Sequence, residues 1–520
     1  MKKAKILWVD DEIPMLKPQI LFLEERNFDV VTATNGDDAI KLVEENDFEL
    51  VLLDEMMPGL DGLTTLSEIK KIKETLPVVM ITKNEEEGLM NKAISKQITD
   101  YIIKPINPNQ VLMSIKKILL SEEIKKNRIG EEYSEFSAWL NQKLFSEPTW
   151  KDWIEIYRRL IDWDLKFDSI NDDEMRQMHI YEKKNCNVEF ANFIESNYPS
   201  WIRGKEHPIL SPELVEKYVL PNLTRKKTVY FIILDALRLD QFLVLRPYLE
   251  QLFNIHTDFY FSILPTSTPY ARNAIFSGMM PENIAKAYPR YWITTNEEDE
   301  SSLNRNEHFF FDTQLTRLHA PTTNGSKYVK ILNPEEGEFI LKKVSHYKKE
   351  RVVALVYNFL DVLLHHRSQN EILQEILPND KALRSLTKIW FMNSRFYEAL
   401  QKIATQNATV IMTSDHGSIK VAHATKVIGD RETSSGLRDK HGKNLTCNER
   451  QAIKVVNPLD YGLPRENIVE NYVFARSDYY FVFPTDFHEY RRKFEGTYQH
   501  GGVSMEEMIL PVSVLTPKNK

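Results

Sequence analysis

At 520 residues, 42% hydrophobic and 27% charged, the chain has the make-up of a globular protein too long for one core, so two or three domains are predicted. A net charge of −8 provides no global basic field for a DNA duplex, although a local basic groove stays open. Cys186 and Cys447 are too few for a disulfide framework or thiolate metal cluster, and the absence of an 18-residue apolar run or leader-like start predicts a cytoplasmic protein.

Over residues 1–120, apolar runs at 6–9, 29–33, 50–53, 78–81 and 101–103 alternate with amphipathic stretches such as 15–25 and 37–46. Five strands and five helices in alternation predict a parallel doubly wound α/β sheet. Asp10 and Asp11 follow the first strand, Asp54 ends the third, Thr82 the fourth, and Lys104-Pro105 the fifth. Such ends share one sheet edge, so three carboxylates, a hydroxyl and an ammonium converge. Clustered carboxylates repel one another unless a hard cation such as Mg²⁺ joins them. That cation and Lys104 would offset the charge of a phosphoryl group on Asp54. Pro105 suggests a cis peptide that aims Lys104 inward.

These residues resemble the receiver domains of response regulators. The resemblance implies that Asp54 accepts the phosphoryl group, and that Asp10, Asp11, Asp54 and the carbonyl of Met56 hold Mg²⁺. It implies further that Thr82 and Tyr101, with Lys104, relay the change to the surface formed by residues 101–119. Lys83 departs from the pattern, since many receivers carry a small residue after the Thr, and it would narrow the pocket.

Residues 121–225 read as helical and aromatic-rich, with helices expected at 133–144, 149–163 and 173–197. Trp139, Trp150, Trp153, Trp163 and Trp201 suit the core of a small bundle. No short turn precedes a basic recognition helix, so a duplex-DNA reader is not expected.

Strand–helix alternation returns from residue 228. A buried type of strand at 228–234 leads to Asp235, with a helix from Arg238. The stretch Leu264-Pro-Thr-Ser-Thr268-Pro-Tyr-Ala-Arg-Asn-Ala-Ile-Phe-Ser-Gly278 makes a turn that enters a helix at 270–276. A hydroxyl at such a helix start meets unpaired N–H groups and suits a phosphoryl group. No His neighbours Thr268 in sequence, so a metal is its natural activator. A strand at 352–360 closes on Asp361, with His365 four residues later. The strand at 408–412 runs into Thr413-Ser414-Asp415-His416-Gly417, and His500 follows late in the chain. Asp and His residues at strand ends are what a two-metal phosphoryl-transfer site requires.

The order Asp, Thr, Asp-x-x-x-His, Asp-His-Gly, His-Gly over 228–511 resembles the alkaline phosphatase superfamily, in its PglZ-type branch. The resemblance implies Thr268 as nucleophile, placed ten residues before Gly278, the spacing kept in that family. It implies one metal on Asp235, Thr268, Asp415 and His416, and another on Asp361, His365 and His500. Carboxylate and imidazole ligands suit two Zn²⁺, with Mn²⁺ as the alternative. His366, His423 and His441 are read as ordinary polar residues.

For the substrate, Arg238 and Arg272 stand near enough in sequence to contact phosphate oxygens. The polar, basic stretch 429–444, with Arg438, Lys443 and Asn444, reads as a loop lining a nucleic-acid groove or as a solvated surface loop. The metal core is common to monoesterases, diesterases and phosphomutases.

Three domains are therefore expected: a receiver at 1–120, a helical middle at 121–225 and an α/β phosphatase-like domain at 226–520. Taken whole, they resemble the response regulators of the type IX secretion system of Bacteroidetes. That resemblance implies a sensor histidine kinase (PorY-like) upstream and a homodimer on phosphorylation. It also implies contact with a secretion motor protein (PorL-like) and an extracytoplasmic-function sigma factor. The output it implies is zinc phosphodiesterase action on oligonucleotides, including cyclic ones. The rival reading is a non-catalytic scaffold with structural metals that works through those protein contacts.

Overall fold

The computed structural model describes residues 3–518 apart from 84–97, 171, 224–226, 294–303, 323–325, 368–369, 430–433, 435, 466 and 483–486. The chain divides into two units, Met1–Trp139 and Leu140–Lys520.

In the first unit, strands β1 (Ala4–Val9), β2 (Phe28–Ala33), β3 (Leu50–Asp54), β4 (Val78–Thr82) and β5 (Asp100–Ile103) form one parallel sheet in the order β2-β1-β3-β4-β5. Successive side chains of a strand point to opposite faces, so a strand buried on both sides must be apolar throughout. Accordingly Ile6 and Trp8 pack on one layer with Leu23 and Ile115, while Leu7 and Val9 pack on the other with Ala39 and Leu66. The helices Gly36–Glu45 and Gly62–Ile72 start where Asn35 and Asp61 accept the Asp38 and Thr64 backbone N–H groups. The helix expected between β4 and β5 falls on 84–97, outside the described residues. After β5 comes the helix Pro108–Phe145.

The second unit is built on a six-stranded sheet. Its strands are β6 (Thr228–Leu234), β7 (Phe253–Phe261), β8 (Lys327–Ile331), β9 (Val352–Tyr357), β10 (Ala408–Thr413) and β11 (Ile509–Pro517), ordered β7-β11-β10-β6-β9-β8. The run β10-β6-β9-β8 is parallel, and β11 and β7 join antiparallel at the edge. Every residue of β6, β9 and β10 is buried. The expected strand 352–360 stops at Tyr357, and Asp361 lies instead in the first turn of the helix Phe359–Arg367. The polar Asn358 stands at that end, and the apolar Phe359 and Leu360 belong to the helix that follows it.

The aromatic-rich segments form the helices Trp150–Asp168 and Asp173–Ile202, a little longer than expected. They pack on the sheet rather than on themselves alone: Phe190 and Trp201 meet Phe261 of β7 at ring distances of 6.1 and 5.6 Å. Lys183 lies buried between Asp164 at 2.8 Å and Glu506 at 3.3 Å. The stretch expected as a loop at 429–444 ends as a strand, Asp439–Lys443, paired antiparallel with Glu470–Ala475; residues 430–433 and 435 lie outside the described residues. Among those described, no helix is long and apolar enough to cross a membrane.

Candidate active site

A parallel strand delivers its last residues to one edge of its sheet, and both units place their reactive groups there. In the first unit, Asp10 and Asp54 are buried and Asp11 exposed, with carboxylate oxygens of the three within 4.8 Å of one another. Lys104 Nζ donates to Asp10 Oδ2 at 3.0 Å and to Asp54 Oδ2 at 2.9 Å, and the Lys104–Pro105 peptide is cis. Burial pushes the Asp54 carboxyl up, opposed by the Lys104 bond and reinforced by Asp10. Burial works against the Lys104 charge, but its bonds to Asp54 and Asp10 prevail and raise it. The Thr82 hydroxyl donates to Glu55, Met56 is exposed just after Asp54, and Tyr101 presents its ring at the surface.

In the second unit the expected ligands gather into two groups, Asp235–Asp415–His416 and Asp361–His365–His500, the ligand atoms within each lying no more than 4.8 Å apart. The loops after β6 and β10 bring the first three together. Asp361 and His365 are four apart on one helix and so share a face, and the loop carrying His500 closes on them. His416 Nε2 lies 3.6 Å from Asp235 Oδ1 and 3.8 Å from Asp415 Oδ2. His365 Nε2 lies 3.3 Å from Asp361 Oδ1, and His500 Nε2 lies 3.4 Å from His365 Nε2. The two groups adjoin, since the His416 and His500 rings stack at 4.2 Å.

Thr268 is the first residue of the helix Thr268–Ser277, whose start has no side-chain cap from Ser267. Its Oγ1 lies 2.9 Å from His416 Nε2. Gly417 completes Asp-His-Gly for a steric reason: a Cβ there would collide with the Glu506 carbonyl.

Three buried oxygens, Asp235 Oδ1, Asp361 Oδ1 and Asp415 Oδ2, accept no well-formed hydrogen bond. A buried oxygen left so has lost its hydration without return, and a divalent cation would restore it. Burial and the neighbouring Asp415 push Asp235 up to about 8, against the pull of Arg272. Burial pushes Asp415 up to about 6. Burial, with His416 beside it, holds His500 well below the usual histidine range, in the neutral form that ligates metal. For Asp361, burial is outweighed by His365 beside it and by the other nearby imidazoles, which hold it low. The donor chemistry fits a carboxylate–imidazole metal pair.

The three arginines expected at the substrate are buried in ion pairs, Arg272 among the metal-ligand candidates themselves. Arg238 pairs with Asp240 at 2.5 Å and Asp380 at 2.9 Å, and Arg438 with Glu507 at 2.7 Å. Arg272 Nη1 donates to Asp235 Oδ2 at 2.5 Å and its Nε to Glu307 at 2.6 Å. All three are fully buried, because the carboxylates around them need compensation inside the fold. Lys443 and Asn444 stand at the far end of the strand Asp439–Lys443.

Several contributors escaped the sequence reading. Asn358 Nδ2 donates to Asp235 Oδ2 at 2.8 Å. Glu307 accepts from Arg272, from Asn304 and from the Tyr328 hydroxyl, while Asn304 Nδ2 also donates to the Thr268 carbonyl at 3.1 Å. One carboxylate thus ties the Arg272–Asp235 pair to the backbone of Thr268. Asn358 stands just past a strand and could have been found by that rule. Glu307 lies on a separate helix and carried no local signal.

Comparison with known proteins accounts for most of the chain. The family model of the BREX system PglZ alkaline phosphatase-like domain matches residues 214–515. The response regulator receiver domain matches 6–116, and the PorX response regulator linker domain matches 123–202, which together give the PorX architecture. Transcriptional regulatory protein ResD of Bacillus subtilis is 38% identical over 117 residues, covering 22% of this chain and 48% of that protein. SrrA of Staphylococcus aureus is 34% identical over 115 residues, covering 22% and 47%. The chain thus spans about half the length of these curated relatives. A two-component response regulator from Clostridium difficile is 29% identical with a TM-score of 0.22, covering 22% of this chain and 96% of that one. Vibrio cholerae chemotaxis protein CheY4 is 23% identical with a TM-score of 0.22, covering 22% and 98%.

Proposed function

Since this chain belongs to the PglZ alkaline phosphatase-like family and carries a response-regulator receiver ahead of that domain, we propose a two-component regulator, phosphorylated on Asp54, whose output is hydrolysis of phosphodiesters by Thr268. The observation that carries the reading is the Thr268 hydroxyl at an uncapped helix start, 2.9 Å from His416, beside three buried carboxylate oxygens without a well-formed hydrogen bond. We assign Asp235, Thr268, Asp415 and His416 to one zinc and Asp361, His365 and His500 to the other, with manganese as the alternative. Bound there, the metals supply Lewis acidity toward the hydroxyl and the phosphoryl oxygens.

The chain's own groups do the positioning. Arg272 and Asn358 both bind Asp235 Oδ2, which leaves Oδ1 turned to the site. Asn304 holds the Thr268 carbonyl and so fixes the first helical residue. The Thr268 hydroxyl gives up its proton as its oxygen bonds to phosphorus, the bond from phosphorus to the leaving oxygen breaks, and that oxygen takes up a proton and departs as an alcohol. Water then attacks phosphorus, the bond from phosphorus to the Thr268 oxygen breaks, a phosphate monoester is released and the threonine hydroxyl is restored. Helix N–H groups at this start favour the anionic phosphoryl oxygens.

In the receiver, Asp10, Asp11, Asp54 and the Met56 carbonyl would hold Mg²⁺, which would supply positive charge where Asp54 takes up a phosphoryl group. Lys104 pairs with the phosphoryl oxygens, and Thr82 and Tyr101 carry the change outward. The proposed setting is the cytoplasm and the control of type IX secretion, a placement supported by the linker match. The partners are a sensor kinase, a secretion motor protein and an extracytoplasmic-function sigma factor, the phosphorylated form is a homodimer, and the substrates are oligonucleotides.

The test pairs metal analysis with hydrolysis of bis-p-nitrophenyl phosphate by the full chain and by Thr268→Ala. About two metal ions per chain, with turnover lost in the variant and metal retained, is the expected result. Full metal loading with no turnover in either protein would sink the diesterase reading.

A further inference from the structure

The helix Asp173–Ile202 carries Asn187 buried in its interior, an unfavourable local choice, because Asn is a poor helix former and a buried amide must find partners away from water. Both ends of that amide are used on one segment far along the chain. Asn187 Nδ2 donates to Glu506 Oε2 at 2.9 Å, and its Oδ1 accepts the Met505 backbone N–H at 2.8 Å. Met505 opens the short helix Met505–Met508, and the first N–H groups of a helix have no partner within it. One turn earlier on the same face, Lys183 reaches the other oxygen of Glu506 at 3.3 Å.

The segment held in this way backs both groups of metal-ligand candidates. The Gly417 N–H donates to the Glu507 carbonyl at 3.1 Å, and the Glu506 carbonyl leaves no room for a side chain at Gly417. The Gly417 carbonyl in turn accepts from His416 Nδ1 at 3.1 Å. A carbonyl can only accept, so this bond keeps the ring proton on Nδ1 and leaves the Nε2 lone pair facing Thr268 and Asp235. Toward the second group, Glu507 Oε1 accepts the Gly502 N–H at 2.9 Å, two residues past His500, while Arg438 neutralises the same carboxylate at 2.7 Å. Thr266 Oγ1 accepts the Gly501 N–H at 3.1 Å and donates to the Gly502 carbonyl at 2.8 Å, which closes the loop that presents His500.

We propose that Asn187 is a positioning residue for both metal groups: by holding residues 505–507 it fixes the Gly417 peptide that orients His416 and the Gly502 peptide that aims His500. The helix that the linker model matches is thereby part of the catalytic scaffold and not only a spacer ahead of it. The proposal rests on the metal assignment given above and on no step of the phosphodiester chemistry. Groups that orient a metal-ligating histidine through its second nitrogen set its affinity for the ion, and their loss weakens binding about 10- to 100-fold. Asn187 acts through an intervening peptide, so its effect belongs at the lower end of that range.

Zinc affinity of the full chain, measured by competition with a chromophoric chelator, tests this without turnover, and urea midpoints of the chelated proteins are read alongside. Asn187→Asp keeps the size and the acceptor for Met505 but sets a second carboxylate against Glu506. It should weaken zinc binding about tenfold and lower kcat on bis-p-nitrophenyl phosphate, with KM within about twofold. Adding Glu506→Gln returns a donor to that contact at the original net charge and should restore zinc affinity to within about twofold of the unmutated chain. Asn187→Ala, which removes the amide without adding charge, reads the same loss if the Asp variant does not fold. Phe190→Leu, a core change in the same helix against Trp153 and Phe261, should lower the urea midpoint and leave zinc affinity within about twofold. Undiminished zinc affinity in the Asn187 variants, an equal loss in Phe190→Leu, or no recovery in the double variant each overturns the proposal. An unmutated chain that takes up no zinc removes the metal assignment and the proposal with it. Zinc bound without turnover removes only the diesterase reading, and the zinc titrations then decide this one alone.

Discussion

Asp235 offers the sharpest test of the electrostatics. Its carboxyl is buried beside Asp415 and is pushed up to about 8 from an unfolded value of 3.8. A carboxyl raised on folding contributes stability that is fully present below its unfolded value and is lost as pH rises through the folded one. In chelated protein, then, the penalty for charging Asp235 grows between about pH 4 and pH 8. Within that window the penalty rises by about 1.4 kcal/mol for every step of one in pH, so from pH 5.5 to 8 it grows by about 3 kcal/mol. Asp235→Asn removes the titrating proton while keeping the shape, at a fixed cost from the lost Arg272 pair. Urea denaturation with chelator present should show the variant gaining on wild type by about 3 kcal/mol between pH 5.5 and pH 8. With a slope of about 3 kcal/mol per molar urea, the relative midpoint moves by about 1 M. With zinc bound, the order reverses and the variant is the less stable at every pH, because its ligand is gone. A wild-type-to-variant difference that does not change with pH in chelator would refute the idea that Asp235 is held protonated in the metal-free fold.

Other perturbations read other parts of the molecule. Glu307→Gln should lower kcat about 10- to 100-fold and weaken zinc affinity in an equilibrium titration, as loss of a carboxylate behind a metal ligand does; unchanged values would remove it from the site. Lys183→Met leaves Asp164 and Glu506 buried without their cation and should destabilise the second unit by about 3–5 kcal/mol in urea melts. Gly417→Ala drives a methyl into the Glu506 carbonyl and should lower both melting temperature and metal content. Asp54→Asn should abolish phosphodonor-dependent dimerisation measured by light scattering, and a variant that still dimerises would break the proposed switch.

The receiver was legible largely because its central strands, β1, β3 and β4, are buried on both faces over most of their length and so are written as short apolar runs with reactive residues at the ends. The metal-ligand candidates were legible for the same reason at Asp235, Asp415 and His416. Asp361 was found although its strand had ended at Tyr357: the four-residue spacing to His365 puts the pair on one face of a helix equally well. Charged partners were not legible. Arg238, Arg272 and Arg438 carry nothing in sequence to tell a phosphate-binding guanidinium from one buried against Asp240, Glu307 or Glu507.

What the sequence by itself determined is the set of local choices, where strands stop and which side chains stand at their ends, since period and burial pattern are properties of adjacent residues. Only the tertiary structure decided the rest. It brought His500 onto the helix of Asp361 and His365, placed Glu307 behind Arg272, and laid His441 against Tyr472. Those pairings depend on which surfaces meet after the sheet assembles, and contacts between distant segments leave no periodic trace along the chain.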